Sequence, residues 1–283
     1  MLAKHIAWTP HGHEAGVERF YGTGVEKYGD FHGGYLNFGL WEQGIENYVQ
    51  AAEHLVTQMG KMLGLNAQSR LLDVACGMGA QDILLHRIFG CTIDALDVTW
   101  KHVELATRRV SETGVQNRVR IHHGTATKLP FDDAAFTHVM SVEGPEHFNT
   151  REDFFKEAYR VLTPGGVMVL SDYNLHRKPR TIWERLVVEA ARILWHVPRA
   201  NYDTIDSYKM KLERNGFRKV VIQEIGEQVI PGYYLEQQRP ETKKSLRRIR
   251  GFIGRYGGAL VDRAVYKAFK AGLINYILVR AEK

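Results

Sequence analysis

The apolar positions of this chain change their spacing along its length, and the middle of the chain alternates between two patterns. Between Ile45 and Leu63 they recur at helical spacing, which predicts a helix that ends before Gly64. Short apolar runs and helical patterns then alternate. The predicted strands cover 70–75, 92–97, 119–122, 136–142 and 166–172, and the predicted helices cover 80–89, 100–112 and 151–162. Repeated strand–helix–strand units predict an α/β fold with a Rossmann-like, doubly wound and mainly parallel sheet.

The C-terminal part of the chain extends this plan to seven strands. Its predicted elements are strands at 217–225 and 276–281 and helices at 183–195 and 204–215. The excursion at about 226–275 is patterned as helices around 240–256 and 259–271, which predicts a cap inserted between the last two strands. Residues 1–44 are rich in glycine, histidine and aromatic rings and predict a cover with a short helix around 14–22. The prediction is thus a cover at 1–44 and a main domain at 45–283.

The composition is that of a globular protein, with an uneven distribution of charge. With 44% hydrophobic and 25% charged residues the chain can bury a full core, and no apolar run reaches the length of a membrane span or resembles a signal peptide. The two cysteines, Cys76 and Cys91, predict neither a disulfide framework nor a cysteine metal site, so we expect a cytoplasmic protein. The excess of positive charge is local, because the segment from Arg239 to Lys270 contains ten basic residues and only two acidic ones.

A glycine-rich corner follows the first predicted strand and indicates a cofactor site. Gly77 and Gly79 come directly after the strand that carries Asp73, and glycines there let the backbone turn tightly and approach a ligand. Asp97 ends the second strand, where an acid can bind the hydroxyls of a ribose. A dinucleotide site would favour a third glycine, but Asp82 stands there and would repel a pyrophosphate. The corner therefore predicts an adenosine cofactor without phosphates.

These residues resemble the motifs of the class I S-adenosylmethionine-dependent methyltransferases, and the match covers about residues 45–172. It continues through Gly124-Thr125-Ala126, the fourth strand and the segment 158–166. The resemblance implies S-adenosylmethionine as cofactor, with its methionine end at Asp73 and the glycine backbone and its ribose at Asp97. Thr125 replaces the acid that is usual in the family. The predicted cofactor-binding residues are Asp73, Ala75, Gly77, Gly79, Gln81, Asp97, Val98, Thr125, Ala126 and Val142.

The segment after the fourth strand carries the candidate catalytic groups. It places Glu143, Glu146 and His147 within five residues at the carboxyl end of that strand. The pattern is similar to that of the sterol and tocopherol C-methyltransferases, relatives of the cyclopropane fatty acid synthases. The resemblance implies that a glutamate stabilises positive charge or accepts a proton and that His147 acts as a base. Glu146 as a turn residue and His147 as a structural histidine remain alternatives.

Aromatic residues and a basic run predict the acceptor site. The Leu36–Trp41 loop resembles one shared by that group and by macrolide sugar O-methyltransferases, which implies a hydrophobic or bulky small molecule. The run 243–250 is open to interpretation as a solvated helix face, a clamp for a diphosphate or phospholipid head, or a nucleic-acid or membrane patch. The histidines show no metal-ligand pattern, so no metal is expected. The predicted substrate residues are Tyr35, Phe38, Trp41, Tyr173, Trp183, Tyr234, Arg247 and Arg248.

The leading functional hypothesis is methyl transfer to carbon of a prenyl, sterol-like or lipid acceptor. O- or N-methylation of a sugar, phenol or other natural-product scaffold is the alternative. A nucleic-acid-modifying protein is disfavoured, because no motif for a flipped base follows the fourth strand. A methyltransferase-like module without activity is a third class. Peripheral membrane contact and a homo-oligomer are left open, and no membrane span is expected.

Overall fold

Seven strands form one sheet in the residues that the structure describes. The structure is a computed structural model that describes residues 10–22 and 32–283, without the side chains of 247–258. The strands are β1 (Arg70–Val74), β2 (Thr92–Asp97), β3 (Val119–His123), β4 (Phe136–Val142), β5 (Leu162–Leu175), β6 (Arg218–Glu224) and β7 (Ile274–Glu282). Their order is β3-β2-β1-β4-β5-β7-β6, with β7 antiparallel to both neighbours and the pairs from β3 to β5 parallel. This confirms the predicted doubly wound, mainly parallel sheet.

Helices cover both faces of the sheet, and several begin at a capping residue. They are α1 (His13–Gly22), α2 (Tyr48–Leu63), α3 (Ala80–Phe89), α4 (Trp100–Glu112), α5 (Arg151–Val161), α6 (Ile182–Leu194), α7 (Ile205–Arg214), α8 (Gly226–Gln238) and α9 (Pro240–Lys270). The side chain of Asn47 caps α2, and Thr150 and Thr181 form capping boxes at α5 and α6. Short 3₁₀ turns lie at Pro145–His147 and Arg199–Asn201.

The hydrophobic core lies on both faces of the sheet, as alternating strand residues require. Leu71 and Leu278 belong to the cluster that packs against α2, whereas Leu72 and Ile277 belong to the cluster around α5 and α7. Successive strand residues point to opposite faces, so a strand that is apolar throughout is buried on both. The apolar run before the glycine corner therefore has the central position in the sheet that its sequence predicts.

The largest differences between predicted and observed boundaries lie in the second half of the chain. The helices expected around 240–256 and 259–271 are one 31-residue helix, α9, and 226–238 forms the additional helix α8. Glycine weakens a helix interior by about 1 kcal/mol relative to alanine but keeps its backbone hydrogen bonds, so Gly257 and Gly258 do not end α9. Strand β5 runs on to Leu175 because β7 pairs with it as far as Ile274. The division of the chain at residue 44 stays a prediction.

A buried arginine joins the first residue of α5 to three other parts of the chain. Arg151 is fully buried, lies 2.8 Å from carboxylate oxygens of both Asp172 and Asp203, and donates to the backbone oxygen of Asn201. The Asn201 side chain in turn donates to the carbonyls of residues 145, 146 and 148. We call Arg151, Asp172, Asn201 and Asp203 the arginine cluster. It fixes the loop that follows β4.

Replacing the central arginine leaves Asp172 buried without its counter-charge, whereas Asp203 keeps its ion pair with Lys211. We expect Arg151→Ala to lower the free energy of unfolding in urea by about 3–5 kcal/mol. Arg214→Ala is the control, since Arg214 pairs with Glu152 at the surface and exposed pairs contribute about 1 kcal/mol or less. Equal losses for the two variants would contradict the central role of Arg151.

Candidate active site

A cavity of about 680 Å³ opens at the carboxyl ends of the parallel strands. Its walls come from the residues after β1, β2, β3 and β4, from α1 and from the loop before α2. Crevices at this edge are the usual ligand sites of open α/β sheets, and the volume is in the range of small-molecule sites. The described lining carries the acids Glu14, Asp97, Glu143, Glu146 and Asp262 and no lysine or arginine. Its charge therefore suits a cation better than a phosphate.

The glycine corner is held in place by its own backbone. The amides of Ala75 and Cys76 both donate to the carbonyl of Leu96, and the backbone of Ala75 and Gly77 is left-handed, with φ of 66° and 56°. The Gly77 amide donates to Asp97 Oδ2 at 2.9 Å. At Gly79 a Cβ atom would lie 3.0 Å from Ala106 of α4, so the corner packs closely on that helix. This turn brings bare backbone to the cavity.

Asp97 is the charged carboxylate beside the corner. It accepts from the amides of Gly77 and Thr99, the latter at 2.8 Å, and lies 3.3 Å from Nδ1 of His102. Although burial opposes this, His102 and the two amides hold the pKa of Asp97 below its usual range. One fixed acceptor group thus faces the cavity between Gly77 and Thr99.

The other predicted acid, Asp73, lies beneath the cavity and is not part of its lining. Gln81 Nε2 donates to Asp73, and burial raises the pKa of Asp73 to about 7. Asp82 is buried against it, and burial and the neighbouring charge raise the pKa of Asp82 as well. From the sequence, Asp82 is expected to face the phosphates of a dinucleotide. This expectation is wrong, because the Asp82 side chain lies in the protein interior. Of this group, Gln81 reaches the cavity.

The far end of the cavity is covered by α1. Thr125 Oγ1 donates to Glu14 Oε1 at 3.1 Å, and Val17 is the buried residue of α1. Val98 and Ala126 line the same end, and Val142 lines the cavity after β4. The structure thus brings together eight of the ten predicted cofactor residues in the lining, while Asp73 and Gly79 lie behind it.

Glu143 ties three parts of the chain together. Its backbone is left-handed, with φ of 51°, and its Oε1 accepts from the Phe38 amide and the Tyr276 hydroxyl, both at 2.7 Å. Burial raises the pKa of Glu143 to about 7. This carboxyl joins the end of β4 to the loop before α2 and to β7.

Glu146 and Asp172 form a second acidic pair next to it. Burial raises the pKa of Glu146 to about 7 and that of Asp172 to about 8, although Arg151 acts in the opposite direction on both. The Tyr208 hydroxyl donates to Asp172 at 2.9 Å. The neighbouring charge of Glu146 also raises the pKa of Asp172.

His147 is a neutral imidazole held by a tyrosine of α1. The Tyr21 hydroxyl lies 2.7 Å from His147 Nε2, and the same nitrogen lies 3.8 Å from Glu146. Burial lowers the pKa of His147 to about 4. Tyr21 was not predicted, since the two residues are 126 positions apart and only its place in an aromatic segment marked it. The ring is therefore uncharged at neutral pH, with its Nε2 in contact with Tyr21.

The predicted substrate residues are divided by the structure. Phe38 and Tyr173 line the cavity, and Tyr233 of α8 stacks on Phe38 with ring centroids 3.8 Å apart. Tyr35 and Trp41 pack behind this wall, where Tyr35 donates to Glu53 and Trp41 lies against Gly232.

The other four predicted substrate residues are not found in the described cavity lining. Tyr234 stacks on Tyr266, because adjacent helix residues point in different directions. Trp183 is 74% exposed on the outer face of α6. The side chains of Arg247 and Arg248 lie outside the described residues.

The described residues contain neither a group of acids, cysteines and histidines that could bind a metal nor a helix apolar and long enough to cross a membrane.

Comparison with known proteins adds the family. Residues 72–170 match a family model described as a methyltransferase domain. The chain is 31% identical over 226 residues to erythromycin 3''-O-methyltransferase of Saccharopolyspora erythraea, covering 77% of this chain and 74% of that protein. Geranyl diphosphate 2-C-methyltransferase of the same organism is 29% identical over 125 residues, 44% of this chain and 42% of that protein.

Solved structures share the fold at lower identity. Geranyl diphosphate C-methyltransferase from Streptomyces coelicolor superposes with a TM-score of 0.75 at 17% identity, over 96% of this chain and 98% of that one. The [4+2]-cyclase SpnF gives a TM-score of 0.74 at 20% identity, over 94% of each chain. The sterol and cyclopropane resemblance expected from the sequence stays a prediction.

The ionisation of His147 is directly measurable. In a histidine-labelled sample, NMR titration is expected to give its ring a midpoint near pH 4, because burial opposes the imidazolium. His147→Gln identifies the resonance. A midpoint at or above the ordinary value of about 6.5 would show that the ring is charged in mildly acidic solution and refute the assignment.

Proposed function

Because this chain belongs to the class I S-adenosylmethionine-dependent methyltransferases, we propose that it methylates a hydroxyl oxygen of a bulky, apolar and uncharged small molecule. The observation that carries the proposal is the neutral His147, 2.7 Å from the Tyr21 hydroxyl at the cavity wall. Methylation of an alcohol requires a group that takes its proton, and the neutral ring of His147 offers a nitrogen for it beside the carboxyl of Glu146. Its similarity to erythromycin 3''-O-methyltransferase supports the choice of oxygen.

The cofactor site fits S-adenosylmethionine on three observations. Asp97 offers an ionised carboxylate to two ribose hydroxyls, and the backbone at Ala75 and Gly77 turns around bare amides and carbonyls. Gln81 lies at the same wall. The acidic lining suits a cofactor that carries positive charge, and the bound cofactor supplies an activated methyl group. Ala126 and Thr125 would contact its adenine side under α1.

The acceptor site uses the loop after β4. We place the acceptor hydroxyl near His147, so that its proton passes to Nε2 as the oxygen is methylated. Glu146, 3.8 Å from that nitrogen, balances the charge that the ring then carries. Tyr21 holds the ring orientation before the acceptor arrives. Phe38, Tyr173 and Tyr233 give the apolar wall, and the absence of lysine and arginine from the described lining disfavours an anionic acceptor.

Methylation at carbon is the second candidate, and the same aromatic wall supports it. Phe38 and Tyr173 of this wall lie edge to face, with centroids 5.4 Å apart, and Glu143 lines the cavity beside them. Ring faces stabilise a cation, so this wall also suits a carbocation formed on an alkene. The C-methyltransferase relative and fold neighbour named above act on geranyl diphosphate. A panel of hydroxylated macrolides or glycosides against prenyl diphosphates and neutral alkenes separates the two candidates.

Loss of the ribose acid tests the cofactor site. We expect Asp97→Asn to weaken binding of S-adenosylhomocysteine in calorimetry at least tenfold, since hydrogen bonds to a charged group contribute about 1.5–3 kcal/mol. Asp94→Asn on the same strand is the control, because Asp94 binds His122 and Arg120 and is not part of the cavity lining. Unchanged binding by the Asp97 variant would contradict this role.

Loss of the imidazole tests the catalytic proposal separately. With an acceptor from the panel, His147→Gln is expected to lower kcat by about 10²–10⁴-fold while S-adenosylhomocysteine still binds. His122→Gln, a partly buried histidine paired with Asp94, is the control. If the His147 variant keeps its turnover on a hydroxyl acceptor, another group takes the proton. Methylation of alkenes alone would favour the second candidate.

A further inference from the structure

The helix α6 exposes an apolar face that no described part of the chain covers. Six large apolar side chains of this helix are between 48% and 74% exposed: Ile182, Trp183, Leu186, Val187, Ile193 and Leu194. At 100° per residue they span an arc of about 140°. An arc of this width on a helix is normally buried, so its exposure calls for a partner.

The opposite side of α6 fixes the helix to the protein. Val188 is the buried residue of the helix and belongs to a small cluster with Leu175 and Leu273. The Tyr202 hydroxyl donates to the carbonyl of Val188, and Trp195 follows the helix and contacts Tyr173. The exposed arc is therefore the outward face of an anchored helix.

Basic residues surround this outward face. The segment 177–199 holds six lysines and arginines and two glutamates. Arg177 binds Glu184, and Arg192 and Arg199 bind Glu189, so both acids are already paired. Lys178, Arg180 and Arg185 are exposed, and no ion pair to them is found among the described side chains. The local charge is positive around an apolar centre.

The face continues into the mouth of the cavity. Leu194 belongs both to the exposed arc and to the cavity lining, and Trp195 lines the cavity next to it. Phe20 of α1 lines the same mouth, is 43% exposed and contacts His196. A surface that covered the α6 face would therefore lie directly at the entrance to the site.

We propose that α6 docks the protein on a lipid bilayer with anionic head groups and presents the cavity mouth to that surface. An apolar arc with lysine and arginine at its edges is the pattern of helices that lie in the membrane interface, with the apolar side chains below the head groups. A second copy of this chain would bring basic rims together and is disfavoured by charge. The bilayer delivers an apolar acceptor to the mouth beside Leu194. The docking rests on α6 alone and not on the atom that is methylated.

Vesicle binding measures this docking without any turnover. The full chain is sedimented with vesicles of phosphatidylcholine, with or without phosphatidylglycerol, and Trp fluorescence is followed. We expect binding to the anionic vesicles with a blue shift that Trp183→Ser removes. The double variant Trp183→Ser/Leu186→Ser is expected to bind at least about tenfold more weakly, from the apolar area that leaves the bilayer. Replacing Lys178, Arg180 and Arg185 by glutamine is expected to weaken binding to the anionic vesicles about fivefold for each charge removed.

The controls separate the face from general hydrophobicity and from self-association. Met210→Ser/Leu235→Ser removes two equally exposed apolar side chains on α7 and α8 and is expected to bind vesicles like the unmodified chain. Because all of these positions are exposed, the variants are expected to fold, with circular dichroism spectra like that of the unmodified chain. Failure to bind anionic vesicles, or equal losses in the two double variants, would overturn the proposal. Sedimentation velocity showing a dimer that the α6 double variant dissociates would identify a second copy as the partner instead.

Discussion

The arginine cluster is the interaction on which the site depends. Arg151 carries its charge into the interior, which is tolerated because two carboxylates meet it at 2.8 Å and backbone oxygens take its remaining protons. Asn201 then transmits this fixed position to the loop after β4 by three hydrogen bonds. Without these bonds, the carbonyls of Glu146 and Phe148 would lose the donor that the Asn201 side chain supplies. The same charge that stabilises the fold therefore sets where Glu146 and His147 lie.

The site separates its acids by their surroundings. Two amides and His102 lower the pKa of Asp97, whereas burial with fewer compensating donors raises the pKa of Glu143 and Glu146 to about 7. Neighbouring carboxyls thus take different roles within one cavity. Negative charge is concentrated at the cofactor corner, and the acceptor end is close to neutral. This division agrees with a positively charged cofactor and an uncharged acceptor.

The sequence predicts the cofactor half of the site much better than the acceptor half. Gly77 and Asp97 lie on local strand–turn–helix patterns whose spacing determines the geometry, and Thr125 lies in the loop directly after β3. Tyr21 and His147 meet only through the tertiary fold, and Tyr233 rather than its neighbour Tyr234 reaches the cavity because of the rotation of α8. The pattern predicts two helices where α9 is continuous, since glycine lowers helix stability without removing backbone hydrogen bonds. The spacing of residues in the sequence predicts local structure, whereas contacts between distant parts of the chain depend on how the elements pack.

The insertion of α8 and α9 between two adjacent strands has a consequence for how such proteins diverge. Strand β6 ends at Glu224 and β7 begins at Ile274, and the two strands are paired side by side, so the ends of the insertion are fixed by the sheet. The entropy of closing a loop rises only with the logarithm of its length, about 0.6 kcal/mol for each doubling. Evolution can therefore lengthen this helical pair, which contributes Tyr233 and Val261 to the cavity, at little cost in chain entropy. New acceptors become accessible while the cofactor corner, built on β1 and β2, stays unchanged.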